Sequence, residues 1–328
     1  MQVQKSVANG DAVTSLPKPL HELTEVEIAR KYMIGKVTTK TLLHLTKKFS
    51  DEGFEWLLPV VFAKSTDPLW PDPGASIEKR VEVEIYGETV RTTLSMIVHK
   101  MVASSLGYPK LFTLSPNVRI ERRERQITGR HLYEFTQLDF EISGGSFKEV
   151  KDLVEKAIAG LIADLKANDK EELTALGVYD ALHVPHLPFQ VYDREDLEMK
   201  YGKDWEPALA NDITEPAWIV NIPREFYDFE DFKTGRWDNY DLFAPKFGEV
   251  LSGAKREWDY EKMLTKITRD GIRKENFELL LNLAKEGRIK PSAGAGIGVE
   301  RLVRWIVGAK HIGEVQPFPK TPGMVFDL

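Results

Sequence analysis

Two stretches of the sequence carry side chains that could hold ATP and activate a carboxylate. The first, Arg119–Glu141, reads RIERRERQITGRHLYEFTQLDFE, and the second, Gly294–Arg301, reads GAGIGVER. Together they supply two arginines for phosphate groups, an aromatic ring for a base and a row of carboxylates. A guanidinium group binds phosphate oxygens in a bidentate fashion that suits this task. The combination indicates a nucleotide site that runs an adenylation.

A β-hairpin must position these groups. We expect strands over Leu111–Glu121 and Leu132–Ser143, because side chains alternate between the two faces of a strand. One face of the second strand then carries Phe135, Gln137, Asp139 and Glu141, and the opposite face carries Leu138, Phe140 and Ile142. The pattern predicts an apolar underside and a floor that carries charge and a single aromatic ring. An ordinary antiparallel strand with one solvated face is the alternative.

The remaining elements follow from apolar periodicity. We expect helices over Thr38–Ser50, Thr92–Ser105 and Phe147–Asn168, a strand over residues 54–62, and a tight turn at Gly294–Gly298 that enters a closing helix. Residues 1–20 are expected to form a polar arm, and residues 21–328 a single catalytic domain. Residues 170–235 suggest no chemical role.

Composition narrows the class of protein. The 328 residues contain 51 acidic and 45 basic side chains, for a net charge of −6, and no cysteine. Without cysteine, disulfides, thiolate metal sites and a cysteine nucleophile are excluded. The absence of a basic excess disfavours nucleic acid as a partner. No leader-like or membrane-spanning apolar segment is evident, so we expect a cytoplasmic protein without a membrane partner.

The two stretches resemble motifs 2 and 3 of class II aminoacyl-tRNA synthetases, and RHL-x-EF-x-x-x-D-x-E is typical of the aspartyl/asparaginyl branch. A third match, Asp241–Glu257 (DLFAPKFGEVLSGAKRE), is similar to an asparaginyl-type motif. The resemblance runs from about Lys40 to the C-terminus. It implies an α+β fold, a class II aminoacyl-tRNA synthetase-like antiparallel sheet flanked by helices. The first helix and strand resemble motif 1, which implies a homodimer.

The resemblance also implies roles in ATP binding. Arg119 would hold the α-phosphate and Arg301 the γ-phosphate, while Phe135 would stack on adenine. Asp241 and Glu249 match the acidic pair that carries Mg²⁺ on the phosphates, and oxygen ligands suit this ion. The ATP site would be completed by Glu121, His131 and Leu132.

For the second substrate, the resemblance points to a dicarboxylate. Lys100 and Arg256 match a lysine and an arginine that clamp the distal carboxylate in aspartyl enzymes. Asparaginyl enzymes carry an acidic residue where Lys100 stands. Gln137 and Asp139 are candidates for the α-ammonium group, and Asp67 is a looser one. The sequence departs from the family in two segments. LSMI replaces the family's usual Q-S-P-Q, and the E-G-A of the family's mobile loop is missing.

The predicted function rests on an absent module. The motif 1-like elements begin by about residue 40, so we expect no OB anticodon-binding domain before them. Asparagine synthetase A and its archaeal relatives use such a core to amidate aspartate. We therefore expect an aspartate–ammonia ligase that forms a β-aspartyl-adenylate and releases AMP and pyrophosphate, with Arg119, Arg301, Arg256 and Lys100 as catalytic residues.

Two alternatives stay open. An aspartyl- or asparaginyl-tRNA synthetase-like core could aminoacylate tRNA or modify a protein, and a paralogue could have lost catalysis. The sequence leaves open which carboxylate of aspartate reacts, because the molecule is nearly symmetric end to end.

Overall fold

A computed structural model of the chain describes residues 16–64 and 77–326. Asp67 and most of the predicted arm at residues 1–20 lie outside the described residues. The strands are β1 (Glu55–Trp56), β2 (Phe62–Ala63), β3 (Ile77–Lys79), β4 (Glu82–Ile85), β5 (Glu88–Thr92), β6 (Lys110–Val118), β7 (Ile120–Glu121), β8 (Glu134–Ser143), β9 (Gln190–Asp193), β10 (Ala217–Val220), β11 (Glu230–Asp231), β12 (Arg236–Trp237), β13 (Asn239–Ala244), β14 (Gly248–Lys255) and β15 (Ser292–Gly298). The α-helices are α1 (Glu25–Asp51), α2 (Ile97–Ser105), α3 (Phe147–Asn168), α4 (Lys170–Ala175), α5 (Arg194–Tyr201), α6 (Trp205–Asp212), α7 (Tyr260–Arg269), α8 (Glu278–Lys285) and α9 (Val299–Ile306).

Eight strands form one large sheet in the order β1-β6-β8-β15-β14-β13-β10-β9. The two outermost pairs, β1–β6 and β10–β9, are parallel, and the pairs between them are antiparallel. Helices α1, α3 and α9 pack against this sheet, and their apolar side chains share its largest core. The predicted α+β class with an antiparallel sheet flanked by helices is confirmed.

The predicted hairpin is formed by β6 and β8. Their register places Thr113 opposite Asp139 and Ser115 opposite Gln137. The apolar face of β8 enters the core through Leu138, Phe140 and Ile142. The inner half of the charged floor is buried, because Asp139 is 1% exposed and Glu141 is 0% exposed. Oppositely charged side chains cover both carboxylates.

The glycine-rich segment Gly294–Gly298 is a strand, so the predicted tight turn is wrong. It belongs to β15, which lies between β8 and β14 and pairs Gly294 with Glu141 and Gly296 with Asp139. A Cβ atom on Gly294 would come within 2.2 Å of the Glu141 carboxylate. Glycine at alternate positions therefore leaves room for the polar side chains of the neighbouring strand.

The helices agree with their apolar patterns to different degrees. The predicted bounds of α3, Phe147–Asn168, are confirmed, and its predicted stripe is buried. Helix α1 begins at Glu25, well before the predicted Thr38, because Thr24 and Glu27 form a capping box. Helix α2 begins at Ile97 rather than Thr92, since residues up to Thr92 pair in β5.

The predicted strand at residues 54–62 is mostly an unpaired extended segment. Only β1 and the start of β2 make strand pairs within it. Phe54 at its start is buried in the core, but four later apolar side chains face outward: Trp56 is 54% exposed, Leu58 is 88% exposed, and Val61 and Phe62 are exposed as well. Among the residues that the structure describes, no helix is long and apolar enough to cross a membrane.

Candidate active site

One cleft gathers the side chains predicted to bind ATP. It lies on the polar face of the large sheet, where β8, β14 and β15 run side by side. About 610 Å³ of space, partly open to solvent, lies within it. The seven residues predicted to bind ATP line it: Arg119, Glu121, His131, Leu132, Phe135, Glu249 and Arg301. Residues almost 200 positions apart in the chain therefore meet in one place.

Arg119 connects β6 with β7 and is the first cation of this cleft. Its Nε donates a hydrogen bond to the Leu94 carbonyl at 3.0 Å, and its guanidinium lies 5.0 Å from the centre of the Phe135 ring. No carboxylate forms an ion pair with Arg119 within the described ranges. Burial lowers the pKa of Arg119, although Glu121 opposes this shift. Such a cation is ready for an anionic ligand.

Arg301 faces the cleft from the first turn of α9. Its Nη1 lies 3.0 Å from Oε1 of Glu249, which β14 presents on the other side. Burial favours the protonated form of Glu249, but Arg301, Arg224 and Arg130 outweigh it and lower the pKa of this carboxyl. Glu249 is therefore ionised at neutral pH and close to an arginine.

Arg130 also lines the cleft, and the sequence analysis assigned it no role. Its guanidinium has no hydrogen bond or ion pair with any described residue. The neighbouring Gly248 has φ of +76°, and a Cβ there would come within 2.8 Å of Arg130 Nη2. Burial lowers the pKa of Arg130, and nearby Arg301 adds to this effect. Its position directly before His131 was the signal that could have identified it.

His131 is held by Thr128, whose Oγ1 lies 2.7 Å from the ring Nδ1. Burial lowers the pKa of His131 well below its ordinary value, and Arg301 and Arg125 add to the shift. The ring is therefore neutral at pH 7 and can offer one nitrogen as a hydrogen-bond donor.

Asp241 and Glu249 are the predicted metal pair. Arg224 donates a hydrogen bond to Oδ2 of Asp241, whereas the buried Oδ1 has no partner among the described residues. Burial raises the pKa of Asp241 to about 7, and Glu249 adds to this despite Arg224. The described residues contain no group of three metal-ligating side chains. Two carboxylates fit Mg²⁺, which takes further oxygens from phosphate and water.

Lys100 lies deeper, behind the cleft. It is 2% exposed, and its ammonium donates to Oδ1 of Asp139 at 2.8 Å and to the Ala295 carbonyl at 2.9 Å. Ser115 donates to the other oxygen of Asp139 at 2.6 Å. Lys100 and Asp139 therefore satisfy each other inside the protein.

Arg256 occupies an equivalent environment. Its Nε lies 3.1 Å from Glu141, and its Nη1 lies 3.1 Å from Asp228. Ser292 donates to Glu141 at 2.8 Å. We call Lys100, Arg256, Asp139, Glu141 and Asp228 the buried charge network. It holds two cations against three carboxylates, so the inference of a dicarboxylate from two uncompensated cations does not hold.

Two members of the site come from residues 170–235, where the sequence suggested no role. Arg224 donates to Asp241 and, at 2.5 Å, to Ser252. Asp228 accepts from Arg256 and from Asn239 at 3.2 Å. Both follow β10 in the segment IPREFYDF, where charged side chains alternate with aromatic ones in a non-periodic stretch. That mixture was the only signal available.

Gln137 lines the cleft where the ATP residues and the buried charge network meet. Its Oε1 accepts a hydrogen bond from Asn117 at 3.1 Å. The structure thus brings the predicted residues into two adjoining groups. Residues around Arg119 and Arg301 face the cleft, and residues around Lys100 and Arg256 are buried beside it.

Comparison with known proteins now identifies the family. The tRNA synthetases class II (D, K and N) match residues 76–322, which is more than half of the chain. The chain belongs to this family.

Relatives in sequence are asparagine–tRNA ligases. The one from Mycoplasma mobile is 28% identical over an alignment that covers 98% of this chain and 75% of that protein. The one from Pyrococcus furiosus is 30% identical, with 68% of this chain and 55% of that protein covered. The chain thus spans little more than half the length of some relatives that it matches.

Solved structures show the same fold. Asparaginyl-tRNA synthetase from Pyrococcus horikoshii, complexed with asparaginyl-adenylate, superposes with a TM-score of 0.79 at 21% identity, covering 95% of this chain and 76% of that chain. The Entamoeba histolytica asparaginyl-tRNA synthetase gives a TM-score of 0.78 at 21% identity, with 90% of this chain and 69% of that chain covered.

These relatives correct three predictions. The prediction of an aspartate–ammonia ligase is wrong, because the relatives at 28–30% identity are named for ligating asparagine to tRNA. They support the class II superfamily but not an asparagine synthetase A-like protein. The prediction that nucleic acid is not a partner is also wrong, because such relatives act on tRNA.

Proposed function

We propose that this chain activates asparagine with ATP and transfers the activated amino acid to tRNA. Its membership of the D, K and N synthetases and its asparagine–tRNA ligase relatives support this activity. The observation that carries the proposal is the single cleft lined by every residue predicted to bind ATP. We further propose that residues 21–328 act as one catalytic domain.

The buried charge network supports an amide substrate over a dicarboxylate. Lys100 and Arg256 are each 2% exposed and each already pair with internal carboxylates. The side-chain carboxylate of aspartate would add a fourth negative charge beside two cations, in a region of low dielectric. The side chain of asparagine is neutral and escapes this repulsion.

In the proposed reaction the amino-acid carboxylate attacks the α-phosphorus of ATP and displaces pyrophosphate. A tRNA hydroxyl then attacks the acyl carbon of the adenylate and displaces AMP. Arg119 stabilises the negative charge that develops at the phosphorus, while Arg301 and Arg130 hold the terminal phosphates. Phe135 stacks on adenine. Asp241 and Glu249 are the carboxylates that would hold Mg²⁺, which supplies charge neutralisation on the phosphates. Catalysis depends on positioning and electrostatics, since no side chain is required as a general base.

We also propose that the chain acts as a homodimer. The exposed apolar side chains of Trp56, Leu58, Val61 and Phe62 lie within one segment of seven residues. A run of this kind on a surface marks a protein–protein contact. Its position in the motif 1-like segment supports a second copy of the chain as the partner.

An aminoacylation assay tests the proposed function. Purified protein is incubated with labelled asparagine, MgATP and tRNA bearing an asparagine anticodon, and acid-precipitable label is counted. We expect charged tRNA from the wild type and none from Arg301→Ala, with Arg288→Ala as an exposed arginine control. Failure of the wild type to charge any tRNA, despite turnover of ATP with asparagine, would exclude tRNA as the acceptor.

A further inference from the structure

Asn117 is a buried side chain of β6 to which neither the sequence motifs nor the ATP site assigns a task. It is 0% exposed. Its Nδ2 donates hydrogen bonds to the Ser115 carbonyl at 3.2 Å, to Ser115 Oγ at 3.3 Å and to Gln137 Oε1 at 3.1 Å. Gln137 lines the cleft and Asn117 does not. Asn117 therefore reaches the cleft through Gln137.

Ser115 fixes the direction in which the Asn117 amide points. A backbone carbonyl oxygen can only accept a hydrogen bond. The hydroxyl proton of Ser115 is already donated to Asp139 Oδ2 at 2.6 Å, so Ser115 Oγ is also an acceptor towards Asn117. The opposite orientation would bring the side-chain oxygen of Asn117 against both acceptors. The NH2 group of Asn117 must therefore face Ser115 and Gln137.

Asn117 in turn fixes the direction of the Gln137 amide. Because Asn117 offers a donor, Gln137 must turn its side-chain oxygen towards Asn117 and its Nε2 away from it. Nε2 then lies beside Gly296, where a Cβ atom would come within 2.8 Å of it. Gly296 lines the cleft as well, and Nε2 has no hydrogen-bond partner among the described residues. Gln137 thus presents an unused donor to the cleft.

The order of side chains along β8 puts this donor at the reacting end of the amino acid. Phe135, Gln137 and Asp139 follow one another on one face, because side chains alternate along a strand. Phe135 contacts Arg119, which would hold the α-phosphate, and Asp139 pairs with Lys100 in the buried charge network. Gln137 lies between them, so it faces the part of the substrate that joins the phosphate to the amino-acid side chain.

We propose that Asn117 orients Gln137 so that its Nε2 donates a hydrogen bond to the carboxylate of the amino-acid substrate. This inference rests on the proposed function. The carboxylate and the α-ammonium group are attached to the same carbon atom, but only the carboxylate can accept from an NH2 group. Gln137, which the sequence suggested for the α-ammonium group, therefore holds one carboxylate oxygen while the other attacks the phosphorus. Asn117 is a positioning residue, since it acts on the substrate through Gln137.

Two fragments of asparagine distinguish a carboxylate contact from an ammonium contact. Succinamic acid lacks the α-amino group, and 3-aminopropanamide lacks the carboxylate. Each is measured as a competitive inhibitor of asparagine-dependent pyrophosphate exchange into ATP, with the wild type and with Gln137→Met. We expect the inhibition constant of succinamic acid to rise about 10- to 100-fold in the variant, as for the loss of a hydrogen bond to a charged group. The constant of 3-aminopropanamide should stay within about two-fold.

Asn117→Leu tests whether Asn117 acts through Gln137. It removes the donor at similar volume, so the inhibition constant of succinamic acid should rise about 3- to 10-fold while that of 3-aminopropanamide stays unchanged. Added to Gln137→Met, the same substitution should change neither constant by more than about two-fold, because the group that Asn117 orients is gone. The matched control is Thr113→Val on the same face of β6, which should match the wild type. Its buried Oγ1 has no partner among the described residues.

Three outcomes would contradict the inference. An unchanged constant for succinamic acid in Gln137→Met, or an equal rise for both fragments, would overturn the carboxylate contact. Additive losses from Asn117→Leu and Gln137→Met would overturn the positioning role. Asn117→Ser, which keeps a small polar side chain, repeats this comparison if the leucine variant does not fold. Absence of asparagine-dependent exchange in the wild type would instead overturn the proposed function.

Discussion

Two of the arginines that line the cleft differ in pairing from the cations of the buried charge network, whereas a third, Arg301, is paired with Glu249. In the cleft, Arg119 and Arg130 have no carboxylate partner among the described residues. In the buried charge network, Lys100 lies 2.8 Å from Asp139, and Arg256 lies 3.1 Å from Glu141. In the cleft, these two guanidinium groups are not neutralised by a carboxylate. In the buried charge network, the cations and carboxylates form ion pairs with one another.

This difference separates two uses of arginine and lysine. A cation without an internal partner gains its stabilising contact only when an anion such as a phosphate binds. A cation that is paired in the interior is already neutralised by its carboxylate, so it attracts a charged ligand less strongly. The cleft is therefore suited to a triphosphate, and the network beside it to a substrate side chain that carries no charge.

The largest effect should come from breaking the network at Arg256. In Arg256→Ala, the buried Glu141 and Asp228 lose their cation, so the free energy of unfolding should fall by about 3–5 kcal/mol. Urea denaturation measures this change. The control is Arg288→Ala, which removes an exposed ion pair of 3.3 Å with Glu286 and should cost less than about 1 kcal/mol. A similar small loss at Arg256 would mean that the network is not a closed unit.

Arg119→Ala should separate activity from stability. No carboxylate is left unpaired, so the free energy of unfolding should change by less than about 1 kcal/mol. The rate of amino-acid-dependent pyrophosphate exchange should fall about 10²- to 10³-fold, because the developing charge at phosphorus loses its donor. A variant that is strongly destabilised, or one that keeps its exchange rate, would contradict the contrast between the cleft and the buried charge network.

Arg130→Ala should weaken the binding of ATP and leave the binding of the amino acid unaffected. Loss of an unpaired guanidinium from the cleft should raise the KM for ATP about tenfold and leave the KM for the amino acid unchanged. Steady-state exchange at varied ATP concentrations measures this, with Arg288→Ala again as the control. If the amino-acid KM rises equally, Arg130 serves the network rather than the phosphates.

The smallest effect should be a pH dependence from His131. Burial and the neighbouring arginines lower its folded pKa well below 6.5. The unfolded state therefore binds more protons at mildly acidic pH, so stability is full above about 6.5 and is lost as pH falls towards the folded pKa. His131→Gln removes this loss. Relative to pH 7.5, the variant should gain about 1 kcal/mol on the wild type at pH 5.5 in urea denaturation. Parallel pH curves would contradict a neutral buried ring.

Sequence reasoning succeeded where a local pattern fixes the structure. Helix α3 has an apolar stripe of helical period, and its predicted bounds agree with the structure. The alternation in β8 correctly placed Phe140 in the core. The residues predicted to bind ATP were expected to lie together because each motif carries its own arginine or ring, and the fold does bring Arg119 and Arg301 into one cleft.

Sequence reasoning failed where a property depends on partners distant in the chain. The alternation at Asp139 and Glu141 predicts a face, but not that Lys100 and Arg256 cover it. No periodic pattern in the sequence points to Asp228. In the structure it is the third carboxylate of the buried charge network, so the carboxylates outnumber the two cations. The glycines at alternate positions of β15 were read as a turn, although period two also describes a strand beside bulky polar neighbours.

The most direct test compares asparagine with aspartate in pyrophosphate exchange by the wild-type protein at equal MgATP. If the cleft holds ATP and the closed network rejects a second carboxylate, asparagine should be preferred by about 100-fold in kcat/KM. The same preference should persist in Arg288→Ala. Equal use of the two amino acids, or a preference for aspartate, would contradict the account.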